Sequence, residues 1–195
     1  MERRTFLCAT AAGAASFLTL AGCGTVSGAS TTPDRAPSDR RSKIDTDASA
    51  TLTRLYSVTP GARELAGKAR AMLIFPSVIA AGLGIGGQYG EGVLRTGGTA
   101  SGYYSLASVS VGLQIGAQSK AIVFLFMTQD GLDKFRSSQA WSVGADASVA
   151  VLHMGANGQV DVTGVTAPVM AFVMTNTGLM ANLTLEGTKI TRLKM

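Results

Sequence analysis

Between residues 48 and 70 apolar side chains recur at helical spacing, and from residue 71 onward they alternate or cluster in short blocks. Ala48, Leu52, Leu55, Tyr56 and Thr59 share one stripe, with Asp45 or Asp47 placed to cap its start. A second helix is expected from Pro60, capped by Thr59, turning Ala62, Leu65, Ala66 and Ala69 inward. Strand patterns then cover Met72–Phe75 (stopped by Pro76), Val78–Leu94, Ser108–Ala117, Ala121–Thr128, Ser142–Leu152, Val169–Thr175 and Leu179–Leu185. Turn residues such as Thr96-Gly97-Gly98 and Asn157-Gly158 separate them, and Asp130–Arg136 reads as one short helix with Leu132 and Phe135 inward. Most spacings are too short for crossover helices. The expected fold is therefore α+β, with N-terminal helices packed on a strongly coiled antiparallel sheet or partly closed β-barrel.

One stretch departs from ordinary strand composition. In Ala81–Val93 the even positions read Gly82, Gly84, Gly86, Gln88, Gly90 and Gly92, so a strand with period two has one face almost without side chains. Each interior glycine costs roughly 0.5–1 kcal/mol relative to alanine. Compensation is expected from a backbone or helix lying directly on that face, or from strong coiling. A similar string, Val111–Gln118, follows 30 residues after Ala81–Gln88, which suggests equivalent strands in one sheet rather than a solenoid.

The first 22 residues follow a different logic. Arg3 and Arg4 precede a short apolar stretch, Phe6–Leu20, and the run Leu20-Ala21-Gly22-Cys23 resembles the lipobox of bacterial lipoproteins. That resemblance implies cleavage before Cys23 and acylation of Cys23. Arg3-Arg4-Thr5-Phe6-Leu7 resembles a twin-arginine export signal as well as a general one. Cleavage would remove Cys8, leaving no disulfide within the mature chain, so its stability must come from packing. Gly24 after the cysteine, in place of a retaining aspartate, favours the outer membrane, facing the periplasm. The expected organisation is a signal peptide over 1–22, an acylated flexible tether over 23–45 and a folded domain over 46–195.

Composition supports one globular unit. Of 195 residues 46% are hydrophobic and 15% charged, enough for a single core that buries about 70% of the unfolded surface without metal or disulfide. Setting aside the two arginines and one glutamate of residues 1–22 lowers the net charge from +5 to +4. Much of the excess lies in the helical region, where Arg54, Arg63, Lys68 and Arg70 face one acid, Glu64. Those four cations are the candidate contacts for lipid phosphate, since arginine forks onto phosphate oxygens and each near-surface cation contributes about 1 kcal/mol. The alternative for them is a solvated helix face. Trp141, Tyr103 and Tyr104 are candidates for a membrane interface or, preferentially, for packing.

The glycine strand Gly82–Gly92, the basic segment ending in Phe75-Pro76, Gly112–Ala117, the strand Trp141–Val151 and the C-terminal Gly178-Leu179 through Leu185-Glu186-Gly187 together resemble the SYLF-domain family over about residues 48–193. The resemblance implies a phospholipid-binding module, with phosphoinositide binding and, in fungal members, actin association. It departs at Gly102-Tyr103-Tyr104-Ser105, where eukaryotic members carry a tryptophan-serine-proline type segment, and at Asn182, where glycine is common.

Other chemistries find little footing. Gly82, Gly84 and Gly87 formally match a dinucleotide fingerprint, but a strand pattern follows where a helix is needed. His153 is the single histidine and has no thiol or carboxylate at ligand spacing, so no metal site is expected. No glycine-x-serine-x-glycine nucleophile motif occurs. A hydrolase built on the scattered acids Glu91, Asp130, Asp133, Asp146, Asp161 and Glu186 is a third reading that nothing favours. Few dispersed charges and no aromatic platform argue against nucleic acid. The expected function is cofactor-free, non-catalytic binding of anionic membrane phospholipid, with a structural envelope lipoprotein docking a protein partner as the alternative.

Overall fold

The computed structural model describes residues 36–83, 85–111, 116–152, 160, 167–175, 178–179, 185 and 187–195. The expected signal peptide, Cys23, the expected tether as far as residue 35, His153, the expected Asn157-Gly158 turn and Asn182 lie outside the described residues. The elements run α1 (Pro37–Val58), α2 (Ala62–Lys68), β1 (Ala71–Leu83), β2 (Ile85–Thr96), β3 (Thr99–Val111), β4 (Gly116–Phe126), α3 (Gln129–Ser137), β5 (Ala140–Ser142), β6 (Val149–Leu152), β7 (Val169–Thr175), β8 (Gly178–Leu179) and β9 (Lys189–Arg192). Among the described residues the strands form one sheet in the order β5-β9-β3-β2-β1-β4-β7-β6, with β8 on β7. Every pairing is antiparallel except β6 with β7. The architecture is the expected α+β fold with a strongly coiled sheet, mixed at one edge.

The sheet separates two apolar layers. On its outer face α1 and α2 bury Ile44, Ala48, Leu52, Leu55, Ala62 and Ala66 against Ile74, Val93, Val123, Leu125 and Phe172. On its inner face the curl brings Phe75, Phe124, Phe126, Trp141 and, from α3, Phe135 into one cluster. Phe124 meets Phe75 and Trp141 edge-on, each at 6.2 Å between ring centroids, and Phe135 lies 4.9 Å from both Tyr104 and Phe126. Trp141 and Tyr104 are thus core residues, and Tyr103 packs against α1.

Several sequence expectations are corrected. Helix α1 starts at Pro37 rather than after Asp45, so residues 37–45 are not tether. Pro37 suits the first turn, and Ile44 extends the stripe of Ala48, Leu52 and Leu55. Helix α2 begins at Ala62, because Gly61 adopts φ 85° and resets the chain direction, while Thr59 closes α1 by donating its N–H to the Leu55 carbonyl at 2.9 Å. The strand expected over Val78–Leu94 is a hairpin: Gly82 pairs with Gly86, and Leu83 with Ile85. The alternation hid the turn because this register pairs even positions with even ones. Ser142–Leu152 is likewise two strands on opposite edges, separated by a turn in which Asp146 Oδ2 accepts the Ser142 N–H at 2.6 Å. Strand β3 begins at Thr99, well before the expected Ser108.

The glycine pattern has a local cause. The register of β1 shifts around Pro76, between Ile74 and Ser77 against β2 and between Phe75 and Val78 against β4. A Cβ on Gly92 would stand 2.3 Å from the Ile74 carbonyl oxygen, and one on Gly90 2.8 Å from that of Ser77. Close backbone approach at this bulge requires both glycines.

Candidate functional site

The four cations singled out in the sequence occupy the helix layer. Arg54 donates to the carbonyl of Thr175 at the end of β7. The guanidinium of Arg63 lies 4.5 Å from the centroid of the Tyr56 ring, whose hydroxyl approaches Met72 Sδ at 3.9 Å. Lys68 pairs with Glu64 at 2.6 Å. Hydrogen bonding from Lys68, followed by its charge, holds the Glu64 carboxyl below the ordinary range. Arg70 has an exposed side chain, and its backbone N–H donates to the Phe126 carbonyl at 2.8 Å where β1 begins. Arg54, Arg63 and Lys68 therefore each have a partner within the protein. The segment of Arg63, Lys68 and Arg70 sits at the end of the sheet where β1 starts and β4 finishes.

A second charged cluster lies in residues that the sequence reading assigned to the tether. Arg40 binds Glu91 on β2 through both carboxylate oxygens, Nε to Oε2 at 2.8 Å, and Tyr89 donates its hydroxyl to the same carboxylate at 2.7 Å. One turn further, Asp45 Oδ2 accepts from the Tyr103 hydroxyl at 2.7 Å, and Arg95 donates to the Asp45 carbonyl at 2.8 Å and to Ser49 Oγ at 2.9 Å. Arg41 lies over the Tyr103 ring at 5.9 Å. Together these contacts clasp the first half of α1 to β2 and β3. The Arg40 hydrogen bonds hold the Glu91 carboxyl below the ordinary range against the opposing effect of burial. Burial, then the hydrogen bond to Glu91, pushes Tyr89 upward. No periodicity announces this clasp; its only signal in the sequence is the density of mixed charge over residues 39–47, three bases and three acids.

Beyond the clasp, α1 leaves the sheet uncovered. On the outer face Ile79 of β1 pairs with Tyr89 of β2, which pairs with Ala107 of β3, and Val109 stands two residues along from Ala107. Ile79 is 58% exposed, Tyr89 50% and Val109 79%, whereas Ile74 and Val93 on the same face under the helices are fully buried. Ala81 and Gly87 are exposed beside them. This patch occupies the open end of the sheet, where β1 turns into β2 and β3 leads to β4. The chain enters α1 at its border, since Arg40, in the first turn, reaches Glu91 next to Tyr89. Among the described residues no group of three or more His, Cys, Asp or Glu is placed to hold a metal ion, and no helix is long and apolar enough to cross a membrane.

A family model described as Ysc84, Las17-binding protein actin regulator, matches residues 107–194, from β3 through β9. Over residues 107–194 this match agrees with the SYLF-domain resemblance. No match was found among curated proteins. The matched segment contributes β4, β7 and the inner aromatic residues Phe124, Phe126, Phe135 and Trp141. Helices α1 and α2, the cations at Arg54, Arg63, Lys68 and Arg70, and the glycine hairpin lie before the matched residues. In the exposed patch, Ala107 and Val109 are within the match and Ile79 and Tyr89 are outside it.

Proposed function

We propose that this chain is a lipid-anchored, non-catalytic binder of anionic phospholipid, held by acylated Cys23 at a bacterial cell envelope, on the periplasmic side of the outer membrane. The observation that carries the reading is the uncovered apolar patch of Ile79, Tyr89 and Val109 at the open end of the sheet, at the border of which the chain enters α1. Pro37 stands 14 residues after Cys23, so an extended segment reaches at most about 50 Å. An anchor with that reach allows the patch to meet the bilayer, where exposed side chains of this kind gain from leaving water. Arg54, Arg63, Lys68 and Arg70 are the cationic part of this reading; they act on acidic lipid only where they come within a Debye length, roughly 10 Å, of the bilayer. Lipid binding is also what the SYLF resemblance implies, and within this reading the preferred headgroups are phosphate-rich and phosphoinositide-like.

Sedimentation with vesicles tests this reading, using the full chain carrying Cys23→Ser so that no acyl chain contributes. Binding to phosphatidylcholine vesicles doped with phosphatidylglycerol is expected to weaken with salt, and more shallowly once Arg54, Arg63, Lys68 and Arg70 are all changed to Gln. An unchanged salt slope rejects those four residues. Absence of wild-type binding at low salt rejects the function.

The family description, that of a Las17-binding actin regulator, favours a second reading in which the same open end docks a protein, as a structural envelope lipoprotein. Cross-linking from Val109→Cys in intact cells to one protein at defined stoichiometry, together with failed vesicle sedimentation, selects it.

A further inference from the structure

The opposite face of the open end carries a different chemistry. Moving outward from the inner core, the last apolar row runs Val78, Gly90 and Leu106 across β1, β2 and β3, and on β4 it ends in Lys120, paired with Val78. The next row reads Gln118, Ala80, Gln88 and Ser108. Gly82 and Gly86 pair in the row beyond. The side chains projecting here are therefore an ammonium, two amides and a hydroxyl, over a floor of alanine and glycine. Gln88 Nε2 lies 2.6 Å from Ser108 Oγ; as the amide donates, the hydroxyl proton is left to point elsewhere. Adjacent strands lie about 4.8 Å apart, so the two glutamines, separated only by Ala80, flank a gap of roughly 10 Å.

Lys120 is half-buried, and among the described residues its ammonium forms neither an ion pair nor a hydrogen bond. The described acids belong elsewhere: Glu91 is on the outer face bound to Arg40, and the others sit on helices or in the β5–β6 turn. Burial without a compensating charge lowers the Lys120 pKa. A partly desolvated cation beside donors and without a carboxylate is an arrangement that an anion completes.

We propose that the inner face of the open end, centred on Lys120 and flanked by Gln118, Gln88 and Ser108, is a cradle for a phosphate monoester or diester. This deepens the lipid reading, placing the headgroup on the inner face while the outer patch of Ile79, Tyr89 and Val109 meets the apolar layer. A phosphate ester in solution presents the same chemistry, and the experiment separates the two sources.

Lysine acylation followed by mass spectrometry on the full Cys23→Ser chain reads the site directly. Lys120 is expected to be protected about tenfold, the change one charge-assisted hydrogen bond supports. Protection by phosphatidylcholine vesicles doped with phosphatidic acid, but not by glycerol 3-phosphate, identifies a lipid headgroup; protection by glycerol 3-phosphate as well identifies a general phosphate-ester cradle. Protection by glycerol 3-phosphate without any vesicle binding keeps the cradle and removes the lipid reading. Vesicle binding with Lys120 unprotected overturns the cradle and leaves the lipid reading standing. The Lys120→Met variant replaces the desolvated charge with an apolar stem and is expected to fold at least as stably while losing its preference for phosphatidic acid; an unaltered preference also overturns the proposal.

Discussion

Strands β1 to β4 pass through two environments. Near the start of β1 they are covered on both faces, by α1 and α2 outside and by the aromatic cluster of Phe75, Phe124, Phe126, Phe135 and Trp141 inside. Toward the open end the same strands carry glycine, alanine, glutamine and serine inside and uncovered Ile79, Tyr89 and Val109 outside. One end thus concentrates the apolar burial that stabilises the fold, and the other leaves hydrogen-bonded backbone as a rigid platform with free surfaces. Changes at the first end are expected to cost stability, and changes at the second to cost binding.

The sharpest break in that division is Phe124→Ala. It removes a fully buried ring from between Phe75 and Trp141 and is expected to cost about 3–5 kcal/mol in denaturant unfolding. At the boundary, Gly92→Ala drives a Cβ to 2.3 Å from the Ile74 carbonyl oxygen and is expected to cost about 1–3 kcal/mol. Gly87→Ala, five residues nearer the open end, brings its Cβ to an ordinary 3.7 Å from the Ser108 carbonyl oxygen and should stay within about 0.5 kcal/mol of wild type. Equal losses at the two glycines would erase the boundary.

Glu91→Gln releases the clasp and is expected to cost about 0.5–1 kcal/mol at neutral pH. The folded-state pKa of Glu91 is depressed, so its contribution is present above the ordinary glutamate value and lost as pH falls through the depressed one. Urea titrations of wild type and variant should therefore converge under acid; a constant gap would remove the charge from the explanation. The smallest stability effect belongs to Val109→Ser, within about 0.5 kcal/mol of wild type because the side chain is exposed. Its vesicle affinity should fall roughly fivefold, corresponding to about 1 kcal/mol of lost apolar burial.

Period-based reading located the two N-terminal helices, α3, β4 and β7, because apolar spacing follows directly from which face is covered, but it merged β1 with β2 and β5 with β6 and did not anticipate β9. It missed the β1–β2 turn, since alternation of Gly82, Gly86 and Gln88 continues unbroken through a hairpin of that register. The clasp was invisible for another reason: Arg40 and Glu91 are 51 residues apart, and hydropathy does not register long-range charge pairs. Thr99–Ala107 lacks a clean apolar alternation, with Tyr103 and Tyr104 adjacent, and so gave no strand signal before Ser108, although pairing with β2 makes it part of a long strand. At the candidate site, Arg54, Arg63, Lys68 and Arg70 were legible as a local charge excess, but their protein partners were not. The exposure of Ile79 and Val109 follows from the course of α1 across the sheet, which only the three-dimensional arrangement reveals.

The position of β9 sets an order of events during synthesis. Lys189–Arg192 lie between β3 and β5, bridging a sequence separation of 86 residues at Ser105 and Thr191. Until residues 189–192 have left the ribosome, β3 has an unpaired edge and Trp141 lacks the strand that carries Ile190 beside it. The central β2-β1-β4 ribbon can assemble while translation continues, but closure on the Trp141 side is a late step with a large loop to close.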